Sequence, residues 1–111
     1  MPPRKWALRI NDILAAIESI KEYTRMLDFE QFRSDKKTFD AVVRNFEIIG
    51  EAAAHVPKEI IAEHPEIPWQ DMKDMRNVLA HEYFGIDKNI VWDTIQDDLL
   101  PIVHLLKELL E

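Results

Sequence analysis

Apolar side chains recur every three or four residues over most of this chain, which is the spacing of one face of an α-helix. A first stretch runs from Arg4 to about Asp28. Its apolar positions are Trp6, Ile10, Ile13, Ile17, Ile20 and Leu27. A second stretch follows Ser34 and Asp35, which can cap a helix, and ends at Pro57. Its apolar positions are Phe39, Val42, Phe46, Ile49, Ala53 and Val56. The pattern predicts two long amphipathic helices.

The second half of the chain predicts two further long helices. Prolines after the second helix allow only one short helical turn, at about Glu59 to Glu63. A third helix is expected from Trp69 to about Tyr83, with Gly85 as its stop signal. A fourth begins after Asp87, and Pro101 should kink or break it. Its apolar stripe consists of Ile90, Val91, Ile95, Leu99, Ile102, Val103, Leu106, Leu109 and Leu110.

Four amphipathic helices without a strand signal predict an all-α protein, a four- to five-helix up-and-down bundle. The chain has 111 residues, which fits one domain over residues 1–111. Gly50 lies inside the second helix, where glycine costs about 1 kcal/mol relative to alanine. Either that cost is tolerated, or a neighbouring helix passes close to Gly50.

Composition narrows the class of protein. Hydrophobic residues make up 47% of the chain and charged residues 32%, which is typical of a globular domain. The absence of cysteine excludes disulfides, thiolate catalysis and cysteine-ligated metals. The chain has no apolar run long enough to span a bilayer and no signal-peptide core, so we expect a cytoplasmic protein without membrane contact. A net charge of −7 argues against broad nucleic-acid binding, and no DNA partner is predicted, but a local basic cleft is still allowed.

Candidate chemistry is concentrated in residues 75–85, MRNVLAHEYFG. A helical wheel places Arg76 and His81 about 140° apart, with only the short side chains of Asn77 and Ala80 between them. This spacing predicts a shallow groove edged by a cation and an imidazole. Tyr83 lies near the boundary of the core face on the same wheel.

Such a groove suits an RNA phosphodiester. Arg76 can hold two phosphate oxygens, and His81 can transfer a proton near neutral pH. RNA supplies its own nucleophile, the 2′-hydroxyl, so cleavage needs no metal and no cofactor. Because acid and base normally require two groups, one histidine per chain predicts a two-fold homodimer that brings two copies of the site to one cleft.

Other readings of these residues remain open or are disfavoured. Arg76, Asn77, His81 and Tyr83 fit a buried polar network or a dimer seam equally well, and periodicity does not decide. A metal site has poor ligand spacing, and phosphate-binding glycine loops are absent. The second helix carries Arg44, Glu47 and Glu51 on one polar face, a pattern that favours a surface ion-pair row over a row of groups supporting the site.

The motif itself resembles a known family. The order Arg, Asn, three residues, His, one residue, Tyr in PWQDMKDMRNVLAHEYFGID is similar to the signature of the HepT-like group of the HEPN superfamily. The preceding RNFEIIGEAA and the following IVWDTIQDDLLPI also resemble that group. The similarity extends roughly from Phe39 to Leu106.

The resemblance implies a HEPN-like helical, dimeric toxin with metal-independent endoribonuclease activity, paired with an MntA-like nucleotidyltransferase antitoxin. Arg76 and His81 match the catalytic pair, and Asn77 matches a residue that helps shape the site. Tyr83 matches the tyrosine to which the antitoxin attaches AMP. Some HEPN proteins bind nucleotides or partner proteins without cutting RNA. The alternative is therefore a noncatalytic helical module that binds a nucleotide or the nucleotidyltransferase.

Overall fold

Seven α-helices make up most of the part of the chain described by the computed structural model, which covers residues 5–81 and 87–111 except for the side chains of residues 77–81. In chain order they are α1 (Lys5–Thr24), α2 (Phe29–Ser34), α3 (Lys36–Ala54), α4 (Lys58–Glu63), α5 (Trp69–His81), α6 (Lys88–Asp93) and α7 (Val103–Glu108). These ranges contain no strand. The prediction of an all-α, HEPN-like bundle is confirmed.

Helix α3 is the centre of the bundle, because it packs along α1 on one side and along α5 on the other. Isoleucines of α1 and the apolar face of α3 are buried together and form most of the core. The fully buried members of this core include Ile10, Ile13, Ile17, Ile20, Val42 and Ile49. The predicted apolar stripes of these two helices therefore face each other.

The ends of α1 and α3 differ from the prediction. Helix α1 ends at Thr24 and not near Asp28, because Asp28 caps the short helix α2. Its side chain accepts a hydrogen bond from the Gln31 N–H, and the Gln31 side chain accepts one from the Asp28 N–H. Helix α3 ends at Ala54, before Pro57. Sequence periodicity missed α2 entirely.

The cap of α3 is as predicted. The Asp35 carboxylate accepts hydrogen bonds from the Thr38 hydroxyl at 2.7 Å and from the Thr38 N–H at 3.1 Å. These two bonds lower the pKa of the Asp35 carboxyl, since they stabilise its charged form. The cap fixes the point at which α3 begins, and with it the register of α3 against its neighbours.

The C-terminal stripe forms an interrupted helical arm, as Pro101 predicts. Asp87 caps α6, accepting the N–H of Asn89. The arm then passes through a π-helical segment, Thr94–Leu99, and a 3₁₀ turn, Leu100–Ile102, before α7 begins. Ile90 was expected in the core, but 64% of its surface is exposed. None of the helices in the described residues is long and apolar enough to cross a membrane.

Candidate functional site

Arg76 is joined to helix α3 by an ion pair with Glu51. Its Nη1 donates to Glu51 Oε2 at 2.5 Å, and the two side chains are 39% and 52% exposed. The guanidinium therefore lies at the surface with its position restrained by a neighbouring helix. This contact joins residues that are 25 positions apart in the sequence.

Gly50 explains how α5 comes close enough for this pair to form. A Cβ placed on Gly50 would lie 2.6 Å from Arg76 Cβ and 2.9 Å from the Arg76 backbone nitrogen. Both distances are shorter than atoms can tolerate, so any larger residue would push the helices apart. The second of the two interpretations of Gly50, close passage of a neighbouring helix, is confirmed. The glycine and the ion pair are adjacent on α3, and together they fix α5 against it.

Positive charge surrounds Glu51 despite the acidic balance of the whole chain. The hydrogen bond from Arg76 lowers the pKa of the Glu51 carboxyl below its ordinary value of 4.5, and the charges of Arg76, His55 and Arg9 act in the same direction. His55 Nδ1 lies 3.7 Å from Glu51 Oε1 and 2.9 Å from the Glu51 carbonyl oxygen. One carboxylate thus lies among a small group of cations and a histidine.

His55 is the residue of this surface that sequence reasoning missed. It follows Glu51 by four positions, the spacing at which two side chains of a helix meet, so the signal was present. Its side chain is 48% exposed. His55 therefore adds a titratable group close to the Glu51–Arg76 pair.

The other predicted site residues fall on or beyond the C-terminal part of α5. The backbone of α5 is helical through Asn77 and His81, but their side chains lie outside the described residues. Tyr83 lies outside the described residues altogether. Because α5 is continuous, five residues from Arg76 to His81 correspond to about 7.5 Å of rise along the helix axis.

Arg44 and Glu47 pair with each other and form no ion pair with Arg76. Arg44 Nη1 lies 3.6 Å from Glu47 Oε2, and the side chains are 71% and 41% exposed. This is the geometry of a surface pair between positions one helical turn apart, which contributes little to stability. Of the three residues predicted on this face of α3, Glu51 is the one that contacts Arg76; a role for Arg44 and Glu47 at the site stays a prediction.

The arrangement can bind an anion and orient it. A guanidinium carries five N–H donors, so a phosphate oxygen can be bound while Nη1 remains on Glu51. An exposed ion pair is worth only about 0–1 kcal/mol, so an incoming phosphate can also replace the carboxylate. Among the described residues, no three His, Asp or Glu side chains form a group that could hold a metal ion.

Comparison with known proteins extends this description. A family model described as "Ribonuclease HepT-like" matches residues 13–109. A protein of Thermococcus cleftensis described as "Probable ribonuclease HepT" is 49% identical over 90 residues, which cover 81% of this chain and 82% of that protein. No solved structure matches the chain significantly.

More distant relatives carry related descriptions. A candidate RNase of Methanocaldococcus jannaschii is 35% identical over 98% of this chain and 93% of its own length. A candidate RNase of Caldanaerobacter subterraneus is 37% identical over 92% of this chain and 91% of its own. The similarity to these two relatives therefore covers more than nine-tenths of both chains.

Proposed function

The chain belongs to the ribonuclease HepT-like family, and from that premise we propose that it is a metal-independent endoribonuclease toxin. The substrate is RNA, and the site is the surface around Arg76 and His81. The protein acts as a homodimer in the cytoplasm and is paired with a nucleotidyltransferase antitoxin. The relatives described as ribonucleases support this proposal, since one of them is 49% identical to this chain over 90 residues.

The observation that carries the proposal is the placement of Arg76. Its guanidinium is partly exposed, is held by Glu51 on a second helix, and lies on a helix that continues to His81. A restrained, accessible cation is what a phosphodiester needs for orientation, because fixed donors lose little entropy on binding. The alternative of a buried polar network requires an enclosed cation, and the Arg76 side chain is 39% exposed.

The proposed reaction uses the nucleophile of the RNA itself. A base removes the proton of the 2′-hydroxyl, the 2′-oxygen attacks the adjacent phosphorus, and the bond from phosphorus to the 5′-oxygen breaks. An acid returns a proton to that leaving oxygen, so the products are a 2′,3′-cyclic phosphate end and a 5′-hydroxyl end. Arg76 stabilises the negative charge that develops on the phosphorane, and His81 transfers protons. Asn77 is proposed to hydrogen-bond the same phosphate group.

A homodimer supplies the second proton-transfer group. One histidine cannot hold and release a proton for both steps at once, and a two-fold axis places the His81 of each copy at a shared cleft. The net charge of −7 then limits which RNA can approach, because only the local cations attract it.

Tyr83 is the proposed point of control. The antitoxin would transfer AMP to the Tyr83 hydroxyl, which adds a bulky group and a negative charge two residues beyond His81. A negative charge near the mouth of the cleft repels the RNA backbone.

RNA cleavage in the presence of EDTA tests the proposal. Wild-type protein should produce 2′,3′-cyclic phosphate ends from labelled RNA, and His81→Ala and Arg76→Ala should each lower the rate by about 10²-fold or more, the usual contribution of a proton-transfer or oxyanion-binding group. Arg25→Ala is the matched control, because Arg25 is an exposed arginine that pairs with Glu22 on α1. It should cut as fast as the wild type.

Two results would reject the ribonuclease. One is a wild-type dimer that leaves RNA intact, which would favour the noncatalytic module that binds a nucleotide or the nucleotidyltransferase. The other is cleavage that survives both His81→Ala and Arg76→Ala, since the activity would then belong to a contaminant or to a different site.

A further inference from the structure

A groove of about 590 Å³ separates α5 from the C-terminal arm. Arg76 is not among its lining residues, so the groove is a different surface from the one around the Glu51–Arg76 pair. The apolar lining residues in the described part of the chain are Phe46, Met72, Met75, Ile90, Val91, Leu99 and Ile102. None of the described lining residues has a role in the ribonuclease proposal.

The apolar floor of the groove has one exposed member. Ile90 lies on α6 and is 64% exposed, although Val91, Ile95 and Leu99 on the same arm are buried. Met72 and Met75 line the opposite wall, on α5. Met72 is fully buried, so the half-buried Met75 is the methionine that can adapt its shape to a bound surface, and an exposed isoleucine next to a groove gains from being covered. These properties suit an apolar face supplied by another molecule.

The rim of the groove is acidic. Its carboxylates belong to Glu66, Asp71, Asp74, Asp87, Asp97 and Asp98, and all six residues are exposed. The described lining residues include no lysine and no arginine. An apolar floor between carboxylates attracts a cationic partner and repels RNA.

We propose that this groove binds a basic amphipathic helix of a partner protein. The wall from Asp87 to Pro101 rises through 14 residue steps, roughly 20 Å, which matches a bound helix of about 14 residues. Apolar side chains at every third or fourth position would lie on the floor, and lysine or arginine side chains on both flanks would reach the rim carboxylates. A second copy of this chain fits poorly, because a two-fold contact through this face would place one acidic rim against another.

The test uses two synthetic 14-residue helical peptides with the same leucine positions, one carrying lysine and one carrying glutamate at the polar positions. Each is labelled with fluorescein and titrated with the full-length protein. The lysine peptide should bind at least about tenfold more tightly than the glutamate peptide, and its affinity should fall as salt is raised. Equal binding of the two peptides would overturn the proposal.

Variants that remove negative charges test whether the lysine peptide binds in the groove. The double variant Asp97→Asn, Asp98→Asn should lower the affinity for the lysine peptide by about fivefold or more, because two rim charges are lost. The control, Glu18→Gln with Glu108→Gln, removes two negative charges from exposed positions that do not line the groove and should change affinity by less than about twofold. If the control weakens binding as much as the rim variant, the attraction is to the net charge of the protein and the groove is not the site.

Ile90→Ser tests the apolar floor without disturbing a buried residue, since Ile90 is largely exposed. We expect affinity for the lysine peptide to fall by about threefold or more, with an unchanged circular dichroism spectrum. Sedimentation of the same variants tests whether a second copy of this chain occupies the groove. If Ile90→Ser or the rim variant changes the oligomeric state, the groove holds a second copy of this chain and the partner helix is rejected.

Discussion

A Cβ on Gly50 would lie 2.6 Å from Arg76 Cβ, so the backbone of α3 and the first side-chain atom of this arginine are in direct contact. The next residue along α3, Glu51, receives the hydrogen bond of the Arg76 guanidinium. Helix α3 thus restrains the arginine side chain at both ends. Close packing against Gly50 restrains Cβ, and the ion pair with Glu51 restrains the guanidinium. The orientation of the proposed catalytic cation depends on α3 as much as on α5.

Gly50→Ala should destabilise the protein although alanine favours helices. The added methyl group meets Arg76 Cβ, Arg76 N and the Met72 carbonyl oxygen, at 2.6, 2.9 and 3.1 Å. Overpacking of this kind costs about 1–3 kcal/mol, and the helix propensity of alanine offsets about 1 kcal/mol of it. We expect a net loss of up to about 2 kcal/mol in the free energy of unfolding, measured in urea. Lys21→Ala, at an exposed position of α1, should change it by less than about 0.5 kcal/mol; a stabilised Gly50→Ala protein would contradict the close contact.

Phe32→Ala should be among the more destabilising changes, because the short helix α2 inserts this ring into the core. Phe32 is fully buried, 5.8 Å from the Phe39 ring and 5.1 Å from the Trp92 ring. Removing a buried phenylalanine costs about 3–5 kcal/mol, whereas Phe32→Leu should cost about 1 kcal/mol. Thermal or urea unfolding measures both. Phe29→Ala, which removes a half-buried ring of the same helix, is the control and should cost less than Phe32→Ala.

The long elements could be predicted from sequence because each has several turns of regular apolar spacing. Helix α2 could not, since six residues are too few for periodicity to show. Its signal lay in local chemistry: Asp28 and Gln31 stand three positions apart and form a capping box. Ile90 was misplaced although it lies on the regular helix α6, because it precedes Val91 by one position and so lies about 100° away from the buried face that Val91 and Ile95 share.

The candidate site could be predicted only in part, for a similar reason. A helical wheel indicates which face a residue occupies but not which residue of another helix it meets. Glu51 was therefore one of three candidates on its face, and packing of α3 against α5 brought Glu51 to Arg76. Gly50 gave the one sequence signal for that packing, because a glycine inside a helix marks a close approach.

The Glu51–Arg76 pair should give a defined pH dependence. The folded-state pKa of Glu51 is below 4.5, so its contribution to stability is fully present above pH 4.5 and is lost as the pH falls through the lower folded value. Glutamine resembles the protonated carboxyl. The difference in the free energy of unfolding between wild type and Glu51→Gln should thus shrink as the pH falls below about 4.5. A difference that grows below pH 4.5 would contradict this direction.

Tyr83 should carry AMP when the protein is coexpressed with the proposed nucleotidyltransferase antitoxin. Peptide mass spectrometry should find one AMP unit on the Tyr83 peptide and none in a Tyr83→Phe variant. Tyr23 is an internal control, because it is 45% exposed and lies on α1, outside the RNVLAHEY motif in the sequence. Modification of both tyrosines would indicate unselective transfer of AMP. An unmodified Tyr83 in the presence of an active transferase and ATP would contradict the proposed antitoxin mechanism.

Glu51→Ala should lower RNA cleavage by acting through Arg76. Without the carboxylate, the guanidinium loses the contact that restrains it, and a misplaced catalytic group can cost up to about 10²-fold in rate. We expect kcat to fall about tenfold while KM changes less than threefold, because the cation that attracts the phosphate is still present.

Glu47→Ala separates this effect from a general loss of negative charge on α3. Glu47 lies one turn earlier on the helix and pairs with Arg44. Its removal should change kcat by less than about threefold, since it has no ion pair with Arg76 to disturb. Glu51→Gln should recover part of the activity lost in Glu51→Ala, because an amide oxygen can still accept the Arg76 hydrogen bond. Equal effects of Glu47→Ala and Glu51→Ala on kcat would mean that charge on this face, and not the contact with Arg76, controls the rate.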